Sequence, residues 1–251
     1  MTSLASHLQT DGFCILESCL NSSECREWMA LVSESIEKAD TAGRLQTTTA
    51  DQKVTYGSRN LLSICPQVVQ LLNLQTIAFH CREILGAQYG VVRGLYFDKP
   101  PGVSWSLPWH QDLTIAVANH AGAVHYSTDG FSKPTIKAGI NHVEAPRSLL
   151  ESMLTVRIHL DAMNQNNGPV LVRKGSHLLG KLSQCEAVSE NEAFEVHCPA
   201  GSAMLMRPLL SHASIASKPH TNLHRRTIHL ELSATKRLPD GFLWQKYFPV
   251  E

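Results

Sequence analysis

Residues 153–161 read MLTVRIHLD, and the two parities of this stretch separate by chemistry. One parity holds Leu154, Val156, Ile158 and Leu160; the other holds Thr155, Arg157, His159 and Asp161. Side chains alternate across a strand, so the stretch predicts a β-strand with one apolar and one polar face. Residues 225–232, RRTIHLEL, repeat the pattern, with Ile228, Leu230 and Leu232 against Arg225, Thr227, His229 and Glu231. A polar face of this kind meets solvent, or it lines a water-accessible interior while helices cover the apolar side. The two strands alone leave that choice open.

Working outward, strands are predicted at Val91–Phe97, Val170–Arg173, Phe194–His197 and Ala203–Arg207, separated by Gly, Pro and Asn. The first third reads differently. Gly12–Leu16 predicts a short strand; Asn21 with Glu24 three positions on is a capping box. Cys25, Trp28, Val32 and Ile36 follow at helical spacing up to Gly43. Pro66 opens a second short helix, and Leu74–Leu85 predicts a third, stopped by Gly86. Between Ala118 and Pro146 the periodicity is weak, and a long loop is expected. Helices first and short strands after predict an α+β, mainly β fold: a sandwich or barrel buttressed by N-terminal helices. Residues 1–251 read as one domain, helical over about 1–87 with a strand-rich core over about 88–235.

The 22 basic and 22 acidic residues cancel, which excludes the basic footprint that phosphate-backbone binding requires. No apolar run is long enough for a membrane span, so neither a nucleic-acid nor a membrane partner is expected. The seven cysteines are scattered and never spaced C-x-x-C, which points to free thiols in a reducing compartment; a cytoplasmic protein is expected. Oligomeric state is not legible. Histidine is the unusual component at 13 residues, and it is the commonest protein metal ligand.

Residues 107–114, LPWHQDLT, place His110 and Asp112 two apart, so on an extended strand both project to one face. With a histidine from a distant strand they would complete a 2-His-1-carboxylate triad, which leaves coordination positions open. His212 in RPLLSHAS, at the end of an apolar strand, is the candidate, with Ser214 two positions on. Arg225 follows thirteen positions later, where one hairpin turn would set it on the strand neighbouring His212. Its planar fork suits a carboxylate. His177 in RKGSH has no arginine at that distance and reads as turn packing. His120, His125 and His142 fall in the long segment after the motif, as solvated loop or as lid.

At these residues the chain resembles the phytanoyl-CoA dioxygenase-like iron(II)/2-oxoglutarate oxygenases. TDGFCIL, LYFDKPPG with LPWHQDL, TVRIHLDAMNQNNGPVLVRKGSH and MRPLLSHAS…RRTIHLEL carry the likeness, over about Asp11–Leu232. The resemblance implies a double-stranded β-helix, a cupin-like jelly-roll barrel with helices against one sheet. It implies Fe(II) on His110, Asp112 and His212, and 2-oxoglutarate with its distal carboxylate on Arg225 and Ser214. Leu95 and Arg157 would also touch the cosubstrate, with Arg157 departing from the family's usual Trp. Arg226 shares the apolar parity and is set aside; the family's upstream Lys has no clear match, Lys53 and Arg59 being unassigned alternatives. If Arg225 and Arg157 face the cosubstrate, the polar strand faces line the interior, and His159 and His229 join them there. The implied activity is oxidation of a small organic molecule with O2, releasing succinate and CO2. Desaturation, ring closure and epimerisation share the same hydrogen abstraction. A non-catalytic binding protein, or a metal-dependent hydrolase or isomerase on the same triad, is the alternative.

Overall fold

The computed structural model describes residues 4–41, 57–103, 105–118, 130–182 and 192–250. Expectations at Gly43, Lys53, His120, His125 and Cys185 lie outside these residues. The N-terminal part runs α1 (Leu4–Thr10), β1 (Phe13–Leu16), α2 (Ser22–Thr41), β2 (Gly57–Ser58), α3 (Leu61–Ile64), a 3-10 helix at Pro66–Asn73 and α4 (Gln75–Leu85). The capping box forms as the sequence predicts. Asn21 Oδ1 accepts the N–H groups of Ser23 and Glu24 at 2.8 and 3.0 Å, and Glu24 Oε2 accepts the Asn21 N–H at 2.7 Å. Gly86 ends α4 with φ of 88°, a conformation that disfavours other residues.

The remainder runs β3 (Tyr89–Lys99), β4 (Leu107–His110), β5 (Thr114–Val117), β6 (Ser132–Lys137), β7 (Ile140–Glu144), α5 (Arg147–Glu151) and β8 (Met153–His159). It continues through β9 (Val170–Val172), a 3-10 turn at Ser176–Leu179, β10 (Phe194–Val196), β11 (Ala203–Met206), β12 (His212–Ser214), β13 (Arg225–Ser233) and β14 (Phe248–Val250). All pairings are antiparallel. A seven-stranded sheet has the order β1-β11-β8-β13-β3-β14, with β2 also on β3. A four-stranded sheet has the order β10-β9-β12-β4, and a three-stranded sheet β5-β7-β6.

The parity question of β8 and β13 resolves against solvent. Leu154, Val156, Ile158, Ile228, Leu230 and Leu232 pack with Leu61, Leu62, Val68, Leu71, Leu72 and Ile77, so the helical part covers the apolar face. The opposite parity is buried too: Thr155, Arg157, His159, Arg225, Thr227, His229 and Glu231 are each at most 6% exposed. This inner face looks toward the four-stranded sheet. Met204 and Met206 of β11 share a core there with Val170, Val172 and Val196.

Three expectations are corrected. The segment from Ala118 to Pro146 is not a loop throughout, because β6 and β7 form a hairpin that extends β5. Its turn, Ala138-Gly139, has φ of 52° and 73°, and alanine gives little sign of such a turn. β6 itself is largely exposed and contains Pro134, so no buried face marks it. His212 opens a strand rather than ending one, after the turn that follows β11. Arg225 is not on a strand neighbouring it either: β12 pairs with β4 and β9, whereas β13 pairs with β3 and β8. The connection crosses between sheets.

No helix of the described residues is long and apolar enough to cross a membrane. The six described cysteines are free thiols, and burial pushes Cys14, Cys81 and Cys198 up to about 12.

Candidate metal centre

β4 and β12 lie side by side, with His110 opposite His212 in register and their ring centroids 4.2 Å apart. Asp112 lies beyond the end of β4, where its backbone N–H donates to Pro208 O at 2.9 Å. One ligand atom from each of His110, Asp112 and His212 falls within 4.8 Å of the others. The imidazoles are oriented from behind. His110 Nδ1 meets Pro108 O at 2.7 Å and His212 Nδ1 meets Leu210 O at 2.9 Å. A carbonyl can accept only, so each Nδ1 carries a proton and Nε2 is the nitrogen left to face a metal. Burial holds His212 down to about 4, with Asp112 acting in the other direction, so it is neutral near pH 7. Asp112 Oδ2 is buried without a hydrogen-bond partner among the described residues, 3.8 Å from His212 Nε2. Two imidazole Nε2 atoms and an unsatisfied carboxylate oxygen converging on one point fit a divalent transition metal.

The seven-stranded sheet supplies the rest. Leu95, His229 and Arg157 sit side by side on β3, β13 and β8. Leu95 is 4% exposed. The Asp112 charge acts on both Arg157 and His229, which places this row against the cluster. Burial drives His229 down to about 3 and His159 well below its ordinary value, so both line the interior as neutral imidazoles.

Toward the start of β13, Arg225 Nη1 donates to Gly168 O at 2.6 Å and to Ser214 Oγ at 3.4 Å. Beside it is a residue that sequence reasoning passed over. Lys99 lies opposite Arg225 in register, is fully buried, and its Nζ donates to Ser214 Oγ and Ile215 O at 2.7 Å each. The sequence does carry a signal: Lys99 shares the parity of Leu95, two residues past the predicted strand end at Phe97. Burial pushes Lys99 down to about 6, with Arg225 and Arg157 adding to the effect; burial brings Arg225 to about 9. Arg157 Nε and Arg225 Nε have no hydrogen-bond partner among the described residues. Two buried guanidiniums and a lysine that an anion would recharge, all with hydrogen bonds to neutral acceptors or to nothing among the described residues, form a receptor for an anion.

Other candidates separate from the centre. Arg226 turns outward to Asp161, Nε to Oδ2 at 2.7 Å and Nη2 to Oδ1 at 2.8 Å, so Asp161 leaves the interior set its parity suggested. His177 Nε2 meets Gln9 O at 3.1 Å and takes no part. Arg59 is exposed beyond β2.

The mixed α/β fold, with its antiparallel sheets, matches a cupin-like architecture. The chain belongs to the phytanoyl-CoA dioxygenase (PhyH) family, which it matches over residues 8–227. No curated protein matches it in sequence. Among solved structures it is similar to the apo form of ThoJ, described as a non-heme monooxygenase, with TM-score 0.66, 19% identity and coverage of 92% of this chain and 77% of ThoJ. SnoK, a non-heme alpha-ketoglutarate-dependent carbocyclase from nogalamycin biosynthesis, gives TM-score 0.65, 15% identity and coverage of 99% and 95%. EctD from S. alaskensis with bound Fe gives TM-score 0.64, 16% identity and coverage of 91% and 75%. At these identities the likeness is one of fold.

Proposed function

We propose that the protein is an Fe(II)- and 2-oxoglutarate-dependent dioxygenase acting on a small organic molecule. The observation that carries the reading is the pairing of the His-Asp-His cluster with the buried Arg225 and Lys99 side chains, both on Ser214. His110, Asp112 and His212 would hold the iron. Arg225, Ser214 and Lys99 would take the distal carboxylate of 2-oxoglutarate, with Leu95 as an apolar wall and Arg157 along its flank. Bound there, iron and 2-oxoglutarate supply the oxidation of a C–H bond by O2, with succinate and CO2 as coproducts. The chain's own work is to fix the two imidazole tautomers, cancel the cosubstrate's charge and keep the interior free of bulk water.

The fold supports the double-stranded β-helix and the single domain expected from the sequence. Taken in chain order, β3, β8, β11 and β13 fall in the large sheet, and β4, β9, β10 and β12 in the small one. A metal-dependent hydrolase on the same triad would leave the Lys99–Ser214–Arg225 group without a task. The test is conversion of 2-oxoglutarate to succinate by aerobic protein supplied with Fe(II). Succinate above the metal-free control, lost on Asp112→Ala, supports the reading; none across a broad panel of small substrates overturns it.

A further inference from the structure

On the inner face of the large sheet, Arg157 of β8 lies opposite His229 of β13, one inward position past the Thr227–His159 pair as β13 runs away from Arg225. At ~3.4 Å per residue, His229 lies about 14 Å from Arg225 along the strand. Arg157 Nε, both ring nitrogens of His159 and of His229, and the hydroxyls of Thr155 and Thr227 are buried without a hydrogen-bond partner among the described residues. Arg157 is 6% exposed, and no hydrogen bond or ion pair joins it to any described residue.

A guanidinium keeps its proton, so Arg157 brings a full positive charge into this interior. The carboxylates around it are committed elsewhere. Glu231, the one carboxylate on the inner parity of β3, β8 and β13, pairs with Arg93 at 3.1 Å. Asp112 belongs to the metal cluster. Burial pushes the Cys198 thiol up to about 12, so it stays neutral beside Arg157. Occupied as proposed above, the site reaches neutrality without Arg157. Fe(II) and Asp112 together leave one positive charge, 2-oxoglutarate brings two negative ones, and Arg225 restores zero. The distal carboxylate has its donors in Arg225, Ser214 and Lys99, and between its carboxylates 2-oxoglutarate offers mainly methylenes. Arg157 is left as an excess buried charge, which is strongly unfavourable until an anion meets it.

We propose that the substrate is a small polar oxyanion, a carboxylate or a phosphate ester, whose negative group is held by Arg157 beside the metal centre. His229 and Thr155, next to it on the same inner face, answer hydroxyl or amino groups close to the anion. A long hydrocarbon is disfavoured, because burying it against these polar atoms would deny each of them a partner. The assignment rests on the oxygenase reading, since it names the substrate class of that same site.

The test is calorimetric titration of anaerobic protein saturated with Fe(II) and 2-oxoglutarate, whose visible charge-transfer band reports separately on the cosubstrate. The ligands are small hydroxy acids, amino acids and phosphate monoesters, each matched with its neutral amide or alcohol. At least one charged member binds, with its neutral counterpart weaker by about tenfold or more; the acid and phosphate arms identify the group. Arg157→Met brings the charged and neutral members within about threefold of each other, and Arg157→Lys restores part of the preference. In metal-free protein, Arg157→Met raises the unfolding midpoint, as removal of an unpaired buried charge should. Absence of binding by every charged member, equal binding of the neutral ones, or a preference that survives Arg157→Met overturns the proposal. So does a lowered midpoint, which would show Arg157 answered within the protein, or a loss of 2-oxoglutarate affinity larger than that of the ligand, which would make Arg157 a cosubstrate residue. Absence of the band from the unaltered protein overturns the oxygenase reading instead.

Discussion

Lys99 is costly to the empty protein. Burial beside two guanidiniums, with only neutral oxygens as partners, forces Lys99 to give up its proton or bear an unbalanced charge, at a cost in stability that an anion restores. Lys99→Met should therefore stabilise metal-free protein by about 1 kcal/mol, roughly 2–4 °C in unfolding midpoint by calorimetry, while raising the Kd for 2-oxoglutarate at least tenfold. The pH dependence follows from the sign of the shift. Folding lowers Lys99 from 10.5 to about 6, so the unfolded chain binds the proton more tightly. The penalty is complete below about pH 6 and fades toward 10.5, and the variant's advantage should shrink over that window; an advantage that grew with pH would contradict the assignment. His110 and Asp112 were legible in the sequence because they stand two apart, and Arg225 because it opens an alternating strand, although its spacing from His212 pointed to the wrong neighbour. Lys99 was not, since its partners Ser214, Ile215 and Arg225 lie more than a hundred residues away and meet it only through the β3–β13 register.

The elements that the sequence announced are those whose signals are local. α2 carries its cap in four consecutive residues, and Asn21→Ala should cost about 1 kcal/mol in chemical denaturation by removing two accepted backbone hydrogen bonds. The core strands declared themselves by alternation, and burial of both faces of β8 and β13 explains why the polar parity mimicked a solvent face. The β6–β7 hairpin stayed hidden because its outer strand is exposed and its turn uses alanine at positive φ. The passage from β12 to β13 was misread as a hairpin for a related reason: spacing fixes which residues follow a turn, but not which sheet receives them. A tight junction lies at Gly201, whose φ is +79° and where an added Cβ would collide with the carbonyl oxygen of Leu20. Gly201→Ala should lower stability by more than about 2 kcal/mol, since both strain and a backbone clash oppose it. A change within 0.5 kcal/mol would show that the junction between the turn before α2 and the turn before β11 yields.

Across the whole molecule, a chain of zero net charge concentrates buried positive charge on the inner face of its large sheet. Helices shield the other face, and the small sheet brings two histidines and the carboxylate beyond β4 to meet it. Such an interior is incomplete without ligands, so metal and 2-oxoglutarate together should raise the unfolding midpoint. At a hundredfold excess over Kd a single ligand contributes about 2.7 kcal/mol. The most direct measurement is the anaerobic visible absorption of the protein with Fe(II) as 2-oxoglutarate is added. A weak metal-to-ligand charge-transfer band that saturates with 2-oxoglutarate, and is absent from His212→Ala, is the predicted result. No band in the unaltered protein, or the same band in His212→Ala, would contradict the site.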